Sequence, residues 1–496
     1  MIAESIKFRG HRCFKKEWSG FEKIKPINVI IGRNNTGKSH LLDFVSDLCS
    51  KPHLGTMSLP LSCSGVLDEN SLKQVFRPGT RGGDLPGHDH WLVNGVSLVG
   101  INVSWEMNMP DTHCRPIFSD EDNWRSPHGQ AVTDARVRHV SQLLSEARHT
   151  LTGRKFRRLM ADRDIGAEGV DNSLSLQFDG RGATNIIRRY ILSSSPKLSR
   201  DLIQKKLLGD LNEIFKSDGH FTEIQVKLHD EQGAETSSNN VNGWEIYLGE
   251  EKKGLVALSR SGSGLKTVFL VLLNLLVMPD IINQPKNEFV FAFEELENNL
   301  HPALLRRLFQ YLEEYALREK ATIFLTTHSS VALDLFGLSK NAQIIHVTHN
   351  GESAKAETVS AHFDHLGVIS ELGAKPSDLL QANGIIWVGA EVRKIPNAHI
   401  WITSAREIEN YIPGDVLAKA LEHQHLPDPD QYEMFFPRKG SPGTSYIERR
   451  LNRKTLDKMD LAVLCAPKMD RAIMIERFDW EQQITSIVEK IRGWNS

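Results

Sequence analysis

The stretch from Pro26 to Ser39 constrains this chain more than any other. Pro26-Ile27-Asn28-Val29-Ile30-Ile31 is a continuous apolar run rich in β-branched residues, the pattern of a buried strand. It leads directly into Gly32-Arg33-Asn34-Asn35-Thr36-Gly37-Lys38-Ser39, and residues 40–48 carry a helical pattern. G-x-x-x-x-G-K-S between a strand and a helix is the arrangement a phosphate-binding loop requires. Gly32 and Gly37 permit the backbone geometry that turns successive N–H groups toward phosphate oxygens. The helix N-terminus behind them adds its positive end. Lys38 is placed to reach the β- and γ-phosphates and Ser39 to ligate Mg2+. The pattern therefore predicts ATP and Mg2+ as cofactors, with all eight residues of the loop lining the site.

Three later segments complete such a site. Phe289-Val290-Phe291-Ala292-Phe293-Glu294-Glu295 is an apolar strand ending in two acids, a Walker B pattern. Glu294 is expected to hold the Mg2+ shell and Glu295 to polarise the attacking water. Adjacent carboxylates at a strand end repel each other unless a cation is near. Residues 321–327 read as another buried strand, which delivers His328 behind one amphipathic helix at 303–318. A histidine placed there is suited to sense a γ-phosphate. Between the phosphate loop and these acids, Ser261-Gly262-Ser263-Gly264 opens an apolar helix, again an anion-binding design.

Composition narrows the alternatives. The 496 residues carry 60 Lys and Arg against 62 Asp and Glu, a net charge of −2, with 40% hydrophobic residues. Disorder as the main state is excluded. So is a uniformly basic nucleic-acid coat, which leaves only local patches for such contacts. The apolar run at 267–278 is shorter than the roughly 20 residues of a membrane span, and the first residues show no signal-peptide core. The five cysteines (Cys13, Cys49, Cys63, Cys114, Cys465) form no CxxC pair, against a zinc ribbon or disulfide framework. A cytoplasmic location is expected.

The order phosphate loop, Ser/Gly loop, Walker B and histidine resembles the ABC/SMC-like ATPases of the OLD (overcoming lysogenisation defect) family. Ile6 to Phe14 looks like that family's opening strand and turn. Residues 26–39 match its phosphate-loop pattern, and Phe293-Glu294-Glu295-Leu296-Glu297-Asn298-Asn299-Leu300-His301-Pro302 its acidic motif, with Leu296 where proline is usual. Thr326-Thr327-His328-Ser329 looks like its histidine motif. The resemblance is good over residues 1–50 and 250–415 and poor elsewhere. It implies that Ser261–Gly264 is a signature loop serving a nucleotide on the other subunit, hence a homodimer or higher oligomer. It also implies a C-terminal Toprim nuclease, and a role in bacterial anti-phage defence of the Gabija or retron-associated kind. DNA, and a reverse transcriptase with its RNA/DNA product or another defence protein, are the implied partners; no membrane is.

The Toprim segment departs from its pattern. Asn383-Gly384-Ile385-Ile386-Trp387-Val388 resembles its first strand, and Arg406-Glu407-Ile408-Glu409-Asn410-Tyr411 a late segment. The strand that should carry Asp-x-Asp between them is missing. The one downstream match, Asp428-Pro429-Asp430, reads as a loop. Glu407 and Glu409 remain as metal-ligand candidates, and Lys468 as a Toprim-associated lysine. Either the Toprim domain is degenerate or an internal segment is absent from this chain.

The middle of the chain is less informative. Residues 133–159 read as helical. Residues 135–200 hold 13 Lys and Arg against 6 Asp and Glu, so Arg154-Lys155-Phe156-Arg157-Arg158 with Arg188-Arg189 form a candidate nucleic-acid patch. The basic run 449–454 precedes an expected strand and a final helix at 480–494. The expected fold is α/β: an ABC-type P-loop ATPase at 1–55 and 246–380, split by a mixed helical and strand insertion at 56–245. A Toprim-like α/β domain that looks incomplete follows at 381–496. The function implied is an ATPase whose nucleotide state gates a Mg2+-dependent DNA nuclease. The alternatives are a non-nucleolytic ATPase scaffold or sensor, and a RecF-like DNA repair ATPase.

Overall fold

Five parallel strands bring the motifs to one edge. A computed structural model describes residues 1–79, 89–108, 114–118, 130–216, 218–229, 243–251, 253–298, 300–337, 339–359, 404–437, 445–451, 456 and 458–494. It divides into two compact units, Met1–Leu379 and Leu380–Ser496.

The first unit is built on a six-stranded sheet in the order Ala354–Val359, Ala342–His349, Ile27–Ile31, Thr322–Thr327, Phe289–Glu294, Lys155–Leu159. All neighbours are parallel except Ala354–Val359, which returns antiparallel from Ala342–His349. Ile27–Ile31 is buried throughout, as a parallel strand covered on both faces must be. In register, Ile31 stands beside Thr327 and Glu294 beside Thr326. Gly32, Glu295 and His328 therefore leave the sheet at its carboxyl edge, where ligands of open parallel sheets bind.

The period-two pleat separates two cores. Ile27, Val29, Ile31, Phe289, Phe291 and Phe293 face a helical layer that includes Pro302–Glu319 and Ser263–Leu272. Ile30, Val290, Ala292 and Phe324 face the helix Lys38–Ser50 and a five-stranded antiparallel sheet. That sheet runs Ser19–Phe21, Ser5–Phe8, Leu61–Val66, Asn102–Met107, Cys114–Phe118. The stretch Ser263–Ile282 is longer than the apolar run read from sequence, at 20 residues, but 72% of its most apolar window is buried, as a core helix would be. A three-stranded sheet, Phe221–His229, Gly243–Glu250 and Gly254–Ala257, leads into the Ser261 loop.

Two expectations fail here. The helical reading of 133–159 holds only over Gln130–Ser145; Lys155–Leu159 is a strand paired with Phe289–Glu294. The segment expected as insertion thus adds an edge strand to the central sheet. In the second unit, the strand expected after the basic run is the helix Lys458–Cys465.

The second unit has its own small core around Leu417, Phe435, Tyr446 and Leu461. Its described elements are helical: Ile408–Tyr411, Gly414–Ala420, Tyr446–Leu451, Lys458–Cys465 and Trp480–Trp494 among them. The Toprim strand expected at residues 383–388 lies outside the described residues.

Candidate nucleotide site

The phosphate loop closes on a positive φ. Gly37 sits at φ 108°, and a Cβ there would lie 2.5 Å from Cys13 Sγ, so only glycine fits. Gly37 is also the N-cap of Lys38–Ser50 and provides no side-chain cap, which leaves the first-turn N–H groups to face an anion. Thr36 Oγ1 donates to Arg33 O at 2.9 Å and closes the loop on itself.

Lys38 is the pivot. Its Nζ donates to Gly32 O at 3.0 Å and Arg33 O at 3.1 Å, and lies 2.9 Å from His328 Nε2. Burial lowers its affinity for a proton below the ordinary lysine value, against the opposing pull of Glu295, Glu297 and Glu294. His328 in turn is held at both ends. Its backbone N–H donates to Glu297 Oε1 at 2.5 Å, and Nε2 is 3.2 Å from Glu295 Oε1.

Glu294 and Glu295 point to different partners, which resolves their mutual repulsion. Ser39 Oγ donates to Glu294 Oε2 at 2.7 Å, and Arg158 Nε donates to Glu294 Oε1 at 2.6 Å. Arg158 also donates to Asp43 Oδ1 at 2.7 Å, and Asp43 pairs with Arg12 at 2.9 Å. Burial opposes the Arg158 charge, but Glu294 and Asp43 outweigh it and hold the guanidinium above its ordinary value. Glu295 sits at φ 45° with its N–H donating to Thr326 O at 2.8 Å. That uncommon backbone for a non-glycine residue turns its carboxylate toward His328. A hydroxyl and a carboxylate oxygen in contact, Ser39 Oγ and Glu294 Oε2, form the hard oxygen donor set that Mg2+ prefers.

Five of the expected residues therefore meet at this edge in two groups, Lys38 and Glu295 around His328, and Ser39 bonded to Glu294. The Ser261–Gly264 loop keeps its bonds within its own turn. Ser261 Oγ donates to Ala257 O at 2.9 Å, and Gly262 O accepts from the Leu265 and Lys266 amides. Gly262 and Ser263 are exposed at the helix start, without a side-chain cap. Beneath them, the buried Glu245 accepts from Ser259 Oγ.

Arg158, Asp43, Glu297 and Arg163 were not expected in this site. Arg163 donates to Glu294 O at 2.6 Å and Glu295 O at 3.0 Å. Burial pulls its guanidinium down to about 10, against the opposing influence of Glu297, Glu294 and Glu295. The signal for Arg158 was the very cluster read as a nucleic-acid patch, in which Arg154, Arg157 and Arg158 bond within the unit while Lys155 is exposed. Arg154 donates to Thr322 Oγ1 at 2.8 Å, and Arg157 to Leu176 O at 3.0 Å and Asn274 Oδ1 at 3.1 Å. Arg188 and Arg189 bond the carbonyls of Asp171 and Asn172.

In the second unit, Lys458 Nζ lies 3.0 Å from Glu409 Oε1 and 3.9 Å from Glu407 Oε2. Both metal-ligand candidates thus share one ammonium, which also stands 4.6 Å over the Phe436 ring. Lys468 donates to Leu464 O at 3.0 Å instead. Asp428 accepts from Gly414 N–H and Arg477, as a loop anchor. Among the described residues, no group of three or more His, Cys, Asp or Glu is arranged to hold a metal.

Residues 142–334 match a family model described as "AAA domain, putative AbiEii toxin, Type IV TA system". The chain is AAA-like over this span. It includes the Lys155–Leu159 strand, the Ser261 loop, both acids and His328, and begins after the phosphate loop. No curated protein matches the chain. Similar solved structures include an Smc head bound to the C-winged helix domain of ScpA. It is 11% identical with TM-score 0.34, over 74% of this chain and 99% of that one. The SMC head domain from Thermotoga maritima is 12% identical with TM-score 0.33, over 73% and 100%. A Pyrococcus furiosus Smc head with an extended coiled coil, bound to the C-terminal domain of ScpA, is 11% identical with TM-score 0.32, over 75% and 99%. At such scores the functional reading rests on the site's own geometry.

Proposed function

We propose that this chain binds and hydrolyses ATP with Mg2+. The observation that carries this is the convergence of Lys38, His328 and Glu295 with the Ser39–Glu294 pair at the carboxyl edge of the sheet. The γ-phosphate would replace the carbonyl and imidazole partners that Lys38 now holds. Glu295 takes a proton from the attacking water, whose oxygen bonds to the γ-phosphorus as the bond to the β–γ bridging oxygen breaks and ADP leaves. Lys38 and His328 meet the charge on the γ-phosphoryl oxygens. Mg2+, held through Ser39 and Glu294, would supply charge neutralisation at the phosphates.

The finer reading follows from the OLD-family resemblance. ATP lies between two subunits, with Ser261–Gly264 of one facing the nucleotide of the other. The nucleotide state gates the C-terminal unit as a Toprim-type DNA nuclease in anti-phage defence. Phosphate release by the wild type and by Glu295→Gln tests the ATPase. Mg2+-dependent DNA cleavage, lost in Glu409→Ala, tests the nuclease.

One observation favours a second reading, an ATPase scaffold or sensor without nuclease activity. Lys458 supplies a positive charge where the nuclease reading needs Glu407 and Glu409 to hold Mg2+. ATP hydrolysis without DNA cleavage would select it.

A further inference from the structure

The Ser261 loop and the Glu294–Glu295 turn are far apart in sequence, yet one side chain touches both. Arg163 Nε donates to Thr267 Oγ1 at 3.2 Å, in the helix Ser263–Leu272 that begins at the loop. Its Nη1 donates to Glu294 O at 2.6 Å and Met160 O at 2.7 Å, and its Nη2 to Glu295 O at 3.0 Å. Every nitrogen of the guanidinium is engaged. Its planar fork is rigid, so a displacement felt at Nε is passed to the two Nη atoms as a rotation of the whole group. The neighbouring pair repeats the link: Lys266 Nζ donates to Asp164 Oδ1 at 2.7 Å. Residues 163–164 thus clasp residues 266–267, and Thr267 is buried at the contact.

The other end of the fork holds a backbone that needs holding. Glu295 sits at φ 45°, an uncommon conformation for a non-glycine residue. Its carbonyl is fixed by Arg163, its N–H by Thr326 O. A change in that carbonyl's direction changes where the Glu295 carboxylate lies relative to His328.

We infer that Arg163 is a positioning residue that couples the Ser261–Gly264 helix to the hydrolytic Glu295 turn of the same subunit. This rests on the reading that ATP is sandwiched between two subunits. Under that reading, the helix reports on the partner's nucleotide while the turn acts on its own. Arg163 then makes the two ATP sites of a dimer communicate. Hydrolysis by the pair is therefore cooperative in ATP, and the cooperativity passes through Thr267.

The experiment is steady-state ATP hydrolysis against ATP concentration by the full chain, as wild type, Thr267→Val, Thr267→Ser and Arg163→Lys. Valine keeps the shape and removes the hydroxyl; serine keeps the hydroxyl. The wild type is expected to show a Hill coefficient above 1, approaching the site number of a dimer, about 2. Thr267→Val is expected to bring it to about 1 and Thr267→Ser to restore it. Arg163→Lys, which keeps the charge but not the fork, is expected to act like Thr267→Val, and stands in for it if that variant does not fold. A wild-type coefficient of 1, or a Thr267→Val or Arg163→Lys enzyme as cooperative as the wild type, overturns the coupling while the ATPase stands. Failure of Thr267→Ser to restore cooperativity also overturns it. A wild type that does not hydrolyse ATP overturns the ATPase reading and the coupling with it.

Discussion

Lys38 Nζ and His328 Nε2 stand 2.9 Å apart, two basic nitrogens meeting across the phosphate loop. A charged Lys38 can only donate, so Nε2 must accept, and it cannot at the same time donate to Glu295 Oε1 3.2 Å away. The contact is one that a phosphate oxygen would satisfy better, by accepting from both residues. His328→Ala should lower the rate of ATP hydrolysis about 100-fold, the effect of losing one donor to a developing charge. Binding of a non-hydrolysable ATP analogue should weaken far less. Single-turnover kinetics beside equilibrium binding separate the two, and an equal loss in both would remove His328 from the chemical step.

Arg158 neutralises Glu294 and Asp43 together, with little exposure of either Arg158 or Glu294. Arg158→Met strands a buried carboxylate and should cost about 3 kcal/mol of stability. Adding Glu294→Gln should recover part of that, because the stranded charge is gone. Thermal unfolding of the two variants checks it. A single variant as stable as the wild type would show that the pair contributes nothing.

Gly37 has φ 108° and Cys13 Sγ within 2.5 Å of the space a Cβ would take. Gly37→Ala should therefore fail on two counts, a left-handed backbone costing about 1–2 kcal/mol and a steric clash. Loss of analogue binding and a lower unfolding temperature are expected. A fully active alanine variant would mean that the loop is not held in this conformation.

Cys13 is the one partly exposed cysteine; Cys49, Cys63, Cys114 and Cys465 are buried. Burial still pushes its thiol above the ordinary value of 9.0. The thiolate fraction at neutral pH is then smaller than in a free cysteine, and it grows as pH rises through that raised value. Iodoacetamide should label Cys13 first, slowly at pH 7, with a rate still climbing at pH 9.0. Burial pushes Cys49 and Cys114 up to about 12 and Cys465 to about 11, so they should wait for unfolding. Mass mapping of labelled peptides decides, and an inflection below pH 9.0 at Cys13 would contradict the account.

The parts of this site legible in the sequence are those whose motifs are local. Residues 26–39 predicted a strand, a loop and a helix because apolar run, glycines and helix start are contiguous. Glu294 and His328 were legible because each ends an apolar strand. Lys155–Leu159 was hidden because its side chains are mostly charged: an edge strand whose arginines find acids and carbonyls inside the unit does not look apolar. Arg163 was hidden for a related reason, since the partners that tie it to the site are two backbone carbonyls more than 130 residues away, which no pattern records. The Lys458 contact with Glu409 likewise joins two short elements that carry no shared motif.

The most direct measurement is the rate of phosphate release from ATP by the full chain in Mg2+, as wild type and as Lys38→Ala. The account predicts turnover by the wild type and its loss in the variant, because Lys38 touches both the loop carbonyls and His328. Equal turnover by the two proteins, or none by the wild type, would contradict it.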